Sequence, residues 1–121
     1  MFKINNNEFK ILVKYKEFLN ILDNMLENIP RKDIFYKDKI RHIAMNLLHN
    51  ILLASYEVNY DNLNNCKASI KSDIALLDFM LDRLYQKRYI NEKCIFNCGQ
   101  ILIEINKMTT GWINSKVKDE S

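Results

Sequence analysis

The sequence predicts an all-α protein, an antiparallel up-down-up-down four-helix bundle. Three observations predict it. Only two glycines and one proline occur in 121 residues, too little punctuation for a succession of β-turns or long loops. Apolar residues recur in steps of three and four in four separate segments, the spacing of one face of a helix. The connections between the segments are short, which makes consecutive helices antiparallel neighbours.

The first segment begins near Phe9, and its stripe is Leu12, Tyr15, Leu19, Leu22, Leu26 and Ile29. Pro30 disfavours helical dihedrals at the residue before it, so Ile29 is the expected boundary. The polar connection "PRKDIFYKD" follows. The second helix is expected from Asp33 or Lys37 to about Tyr60, with stripe Ile40, Ile43, Leu47, Ile51, Ala54 and Val58. The run "NYDNLNN" is rich in residues that favour turns and caps, and reads as the next break.

The third helix is expected over 66–87, with stripe Ile70, Ile74, Leu77, Leu81 and Leu84. "RYIN" turns the chain again. Asn91 is a natural N-cap and Glu92 suits the first turn of the fourth helix. That helix carries Ile95, Cys98, Leu102 and Ile105. Residues 1–116 read as a single bundle domain, and the charged tail 117–121 is expected to fray.

The apolar faces are wider than one bundle core needs. A second series, Ile11, Phe18 and Met25, runs along the first helix. Leu48, Leu52 and Tyr56 widen the second helix, Leu76 and Met80 the third, and Ile101 and Met108 the fourth. A free-standing bundle helix buries about three positions in seven. The excess is either a thick core with tolerated surface leucines or a second buried face. The second reading makes the chain a homo-oligomer or a constant partner of another protein.

Several function classes find no support. There is no phosphate-binding glycine loop, no nucleophile elbow and no H-E-x-x-H, so no enzyme and no catalytic residue is expected. Cys94 and Cys98 lie four apart and His42 and His49 seven apart, but the Glu-x-x-His pairs of a di-iron bundle are missing. No metal or other cofactor is expected. Three scattered cysteines, with Cys66, make no disulfide framework. The polar N-terminus and the lack of about 18 uninterrupted apolar residues point to a cytoplasmic protein with no membrane segment.

Charge is more informative. In this topology the connection between helices one and two lies at the same end as that between helices three and four. Arg31, Lys32, Lys37, Lys39, Arg41, Arg83, Lys87, Arg88 and Lys93 gather there, with Glu27, Asp33, Asp38, Asp82 and Glu92. Nine bases against five acids leave a local excess of four, while the whole chain carries +3. Phe35, Tyr36, Tyr85 and Tyr89 interleave with them. Basic groups among exposed aromatics suit a nucleic-acid backbone and unstacked bases, although Lys87 and Arg88 also complement a helix C-terminus.

The segments "NIPRKDIFYKDKI" and "YINEKCIFNCGQILIEINKMTTGWINS" resemble the accessory variability determinant (Avd) proteins of diversity-generating retroelements. These belong to a wider four-helix group that includes proteins encoded within 23S rRNA intervening sequences. The resemblance spans about 15–115, with Ile29-Pro30-Arg31-Lys32 and Gly111-Trp112-Ile113 as its most specific pieces. The rRNA branch typically carries an "IP-x-N-IAEG"-like segment in helix two. The comparable "NLLHNILLAS" lacks it, which favours the retroelement branch.

The resemblance implies a barrel-shaped homopentamer that binds a reverse transcriptase and its template RNA or cDNA, without enzymatic activity of its own. Arg31 and Lys32 match the family's basic residues. Lys37, Lys39, Arg41, Lys87 and Arg88 join them as the expected nucleic-acid or transcriptase contacts. The family often places two arginines four apart on helix three. Asp78 and Asp82 stand at the matching positions, so the pentamer carries over more directly than the nucleic-acid surface. The alternative is an oligomeric scaffold that binds only protein.

Steps of three and four from Ile95 reach Thr109 and then Trp112. Trp112 therefore falls on the core seam if the helix continues through Gly111. An interior glycine costs a helix about 1 kcal/mol relative to alanine, and close approach of another backbone is its usual reason. Gly111 and Trp112 are accordingly assigned to packing or oligomer contacts.

Overall fold

A computed structural model describes residues 6–120, with side chains over 6–118. Positions 1–5 of the polar N-terminus and Ser121 lie outside the described residues. The protein is a four-helix bundle: α1 (Asn6–Leu26), α2 (Ile34–Tyr56), α3 (Tyr60–Gln86) and α4 (Glu92–Glu120), with one short 3-10 turn at Arg31–Asp33. α2 packs along α3, α3 along α4, and α4 along α1, while α1 and α2 approach each other less closely. Tyr15 spans from α1 to α2: its side chain is fully buried, and its hydroxyl donates to the Ala44 carbonyl of α2.

The stripes of α2 and α3 form the core as their spacing dictates. Ile40, Ile43, Leu47, Ile51 and Ala54 of α2 are buried, as are Ile70, Ile74, Leu77, Leu81 and Leu84 of α3. Val58 does not join them. α2 ends at Tyr56, short of the expected Tyr60, and Val58 is exposed in the connection. On α1 the two expected series merge into one buried face, with Tyr15, Leu22 and Leu26 of the first stripe in the core and Ile29 buried just past the helix end. Ile11, Phe18 and Met25 lie in the core beside Tyr15 and Leu22, whereas Leu12 and Leu19 are only half-buried. The Ile11 series is therefore one side of a single broad core, contacted by neighbours on two sides, and not a spare face.

The connections depart from expectation in both directions: the first opens three residues before the expected Ile29 boundary, and the second is shorter than expected because α3 begins at Tyr60. α1 stops at Leu26, and two turn hydrogen bonds, Asn28 N–H to Met25 O and Ile29 N–H to Leu26 O, carry the chain to Pro30. "NYDNLNN" is mostly the first two turns of α3 rather than a break. Asn59 is the N-cap, its side-chain oxygen accepting from the Asn62 N–H at 3.0 Å. Turn-forming residues serve a helix start equally well, because the same side-chain oxygen satisfies an unpaired helical N–H. Asn91 caps α4 as expected, accepting from the Cys94 N–H at 2.8 Å.

α4 continues through Gly111 and on to Glu120, so 117–120 is helical where fraying was expected. Val117 packs on the core, and Lys116 anchors the last turns. Its ammonium donates to the carbonyls of Ala54 and Ser55 at 2.6 and 3.0 Å and lies 5.2 Å from the centre of the Trp112 ring. Trp112 and Ile113 are buried and Thr109 turns its hydroxyl back to the Ile105 carbonyl. Gly111 differs from its expectation: it is exposed, and a β-carbon there would meet nothing within 4 Å. No close backbone approach within the described residues explains it. Among the described residues, no helix is long and apolar enough to cross a membrane.

Candidate nucleic-acid and partner interface

The two connections at the Pro30 end touch each other directly. Asp33, in the 3-10 turn, accepts from the Tyr89 hydroxyl and sits 3.7 Å from the Lys87 ammonium. The Tyr89 hydrogen bond, and then the Lys87 and Lys32 charges, hold the Asp33 carboxyl below its usual range. The same bond raises the Tyr89 hydroxyl. Lys87 also lies over the Tyr36 ring at 5.3 Å. Lys87, Tyr36 and Tyr89 thus form an internal clasp that sets the two connections side by side.

Around this clasp the other expected basic residues are solvent-facing. Arg31, Lys32, Lys39, Arg41 and Arg88 are exposed and Lys37 is half-buried. None of these six makes an ion pair or side-chain hydrogen bond among the described residues. Arg83 is also exposed, but donates to Gln86 at 3.2 Å. Of the four interleaved aromatics, Phe35 is exposed and available for stacking, Tyr85 is exposed but lines an acidic groove between α3 and α4, and Tyr36 and Tyr89 are held in the clasp. Lys87 is therefore divided between the clasp and any ligand.

Arg88 occupies a position that ordinarily belongs to glycine. α3 ends with the Arg88 N–H donating to Tyr85 O at 2.9 Å and the Tyr89 N–H to Leu84 O at 3.0 Å. That paired closure needs a left-handed residue at its corner, and Arg88 has φ 66°. Left-handed geometry costs a side-chain-bearing residue roughly 1–2 kcal/mol. An arginine kept there at that cost is a pointer to use of its side chain.

The cysteine and histidine residues do not converge. Cys98 is buried with its Sγ 3.4 Å from Met25 Sδ, and burial pushes its thiol up to about 11. Burial also raises Cys66. Cys94 lines a cleft of about 420 Å³ beside Arg88 and Asn91 that contains no histidine. His42 and His49 are exposed on α2. No group of three metal-ligating side chains occurs among the described residues.

A second surface was not singled out by sequence reasoning. Phe79 and Phe96 fall beside the stripes of α3 and α4, and both are 64% exposed. They line one open groove with Asp78, Asp82 and Glu92. The available signal was that each phenylalanine sits off its helix's core spacing, in a chain whose other interior positions are filled. No family model matches the chain, and no curated protein matches it.

Proposed function

We propose that the chain is a non-enzymatic accessory protein that binds a reverse transcriptase and its template RNA or cDNA in a diversity-generating retroelement. The observation that supports this reading is the pole around the Asp33 clasp, where Arg31, Lys32, Lys37, Lys39, Arg41 and Arg88 stand unpaired and Phe35 is exposed. Unpaired cations release counterions when they meet phosphates, and exposed rings stack on unpaired bases. The resemblance at Ile29-Pro30-Arg31-Lys32 and Gly111-Trp112-Ile113 supplies the partner.

Assembly, as the pentamer of that group, is part of the reading. Exposed Met45, Leu52, Leu53 and Tyr56 on the outer side of α2 support a further buried surface. They also favour the second reading, a cytoplasmic oligomeric scaffold that binds only protein. A salt titration of single-stranded RNA binding separates the two. Log affinity falls with log salt by about 0.7 per neutralised phosphate, and Arg31→Ala with Lys32→Ala lowers the slope by about twice that. No RNA binding at low salt leaves the scaffold reading. Light scattering tests assembly: five times the 14.5 kDa chain mass is expected, and a micromolar monomer removes it.

A further inference from the structure

The groove between α3 and α4 is built to take another helix. Its wider part, about 580 Å³, is lined by Ala75, Asp78, Phe79, Asp82, Glu92 and Phe96 among others. It continues into a narrower part of about 270 Å³ that shares Ala75 and Asp78 and is floored by Gly99. From Lys71 to Tyr85, which bound the two parts, α3 rises about 21 Å, the length of a helix of about fourteen residues. Both neighbouring helices already satisfy their own backbone groups, so no free edge invites a strand. Two parallel ridges with a trough between them receive side chains from a third helix instead.

Three features of the groove stay unexplained by the protomer alone. Phe79 and Phe96 expose most of their rings on either side of it, with Ile103 half-exposed further along. Gly99 sits inside α4, where glycine costs about 1 kcal/mol relative to alanine. A β-carbon at Gly99 would meet nothing within 4 Å, so nothing in this chain requires its absence. Asp78, Asp82 and Glu92 rim the wide end, and none of the three is ion-paired among the described residues, although Asp82 accepts from the Gln86 amide at 3.2 Å. Lys71 is the single base in the lining, at the narrow end.

The geometry points to an amphipathic helix of a partner protein as the occupant, with an apolar stripe flanked by lysine or arginine. The stripe covers Phe79 and Phe96, the close approach falls at Gly99, and the basic flanks meet Asp78, Asp82 and Glu92. Nucleic acid is a poor occupant, because the three carboxylates repel phosphate. A twofold pairing of this face with itself sets acid against acid. The inference does not depend on RNA binding at the basic pole.

The test uses a labelled sixteen-residue synthetic helix with a leucine stripe and lysine flanks, and a control with glutamate at every lysine. Fluorescence anisotropy with the full chain is expected to show salt-sensitive binding of the lysine peptide and none of the glutamate peptide. Phe79→Ala and Phe96→Ala each weaken it about tenfold, as loss of central aromatic anchors does. Asp78→Asn with Asp82→Asn weakens it and flattens the salt dependence. Gly99→Leu blocks the floor and abolishes it. Arg31→Ala with Lys32→Ala leaves it unchanged, so failure here is distinct from failure of RNA binding. Circular dichroism checks helicity, and the exposed Phe96→Ser stands in should Gly99→Leu not fold. Equal binding of both peptides overturns the inference, as does wild-type affinity in the Phe79 and Phe96 variants. If the groove variants lower the solution mass of the chain with peptide affinity unchanged, the occupant is a second copy and the inference fails.

Discussion

Lys116, near the end of α4, closes the end of α2 by donating its ammonium to the Ala54 carbonyl at 2.6 Å. α2 has no basic residue in its last turn and leaves through an extended Glu57, so its terminal carbonyls lack a local cap. The cation is supplied from 62 residues away in sequence, and it meets the negative end of the helix dipole. Lys116→Met keeps most of the stem and removes the charge. It is expected to lower stability by about 1 kcal/mol, seen as a lower urea midpoint with an unchanged slope.

Two adjacent positions are expected to answer in opposite directions. Gly111→Ala adds a methyl group into open space on an exposed helical face, and should stabilise the protomer by about 1 kcal/mol. Trp112→Ala empties a buried site and should cost about 3–5 kcal/mol. The buried Trp112 Nε1 has no hydrogen-bond partner, so Trp112→Phe deletes an unmet donor along with some volume. It should cost well under half as much as Trp112→Ala. Chemical denaturation of the three variants checks the order.

Arg88→Gly separates stability from binding. Glycine relieves the left-handed strain at φ 66° and should stabilise the fold by about 1 kcal/mol. The same change removes an unpaired cation from the basic pole, so RNA affinity should fall. A variant that is more stable and binds RNA as tightly as the parent would show that Arg88 has no part in binding.

The clasp predicts a pH dependence. Folding lowers the Asp33 carboxyl, first through the Tyr89 hydroxyl and then through Lys87 and Lys32. A depressed carboxyl contributes stability above its unfolded pKa of about 3.9, and that contribution disappears as pH falls through the folded value. Asp33→Asn should therefore be less stable than the parent at pH 7, and the gap should close as pH falls below the ordinary carboxylate range and through the depressed folded value. Urea titrations across that range measure it; a gap independent of pH refutes the assignment.

Much of the bundle was legible along the chain because helical spacing is local. The stripes of α2 and α3 needed only a period near 3.6 to place Leu47 and Leu77 inside. The Asn91 cap and the run of α4 through Trp112 follow from side-chain reach and seam counting. Helix ends were less legible, because Asn59 in "NYDNLNN" serves a turn and an N-cap with the same oxygen. Leu12 and Phe18 were ranked wrongly, since α1 alone does not say which side its neighbours take.

The candidate surfaces divide the same way. Composition and order of elements place Arg31, Lys32 and Arg88 at one end of the bundle, since alternating helices return every second connection to the same pole. Only the tertiary structure decides that Lys87 is engaged by Asp33 and Tyr36, that Lys116 serves α2, and that Gly99 looks onto open space at the narrow end of the groove whose wide end holds Phe79 and Phe96. Local sequence fixes which face of each helix is apolar. How far around that face the burial extends depends on which neighbours each helix meets, and that is decided by large side chains such as Tyr15 and Phe18 packing together across the whole core.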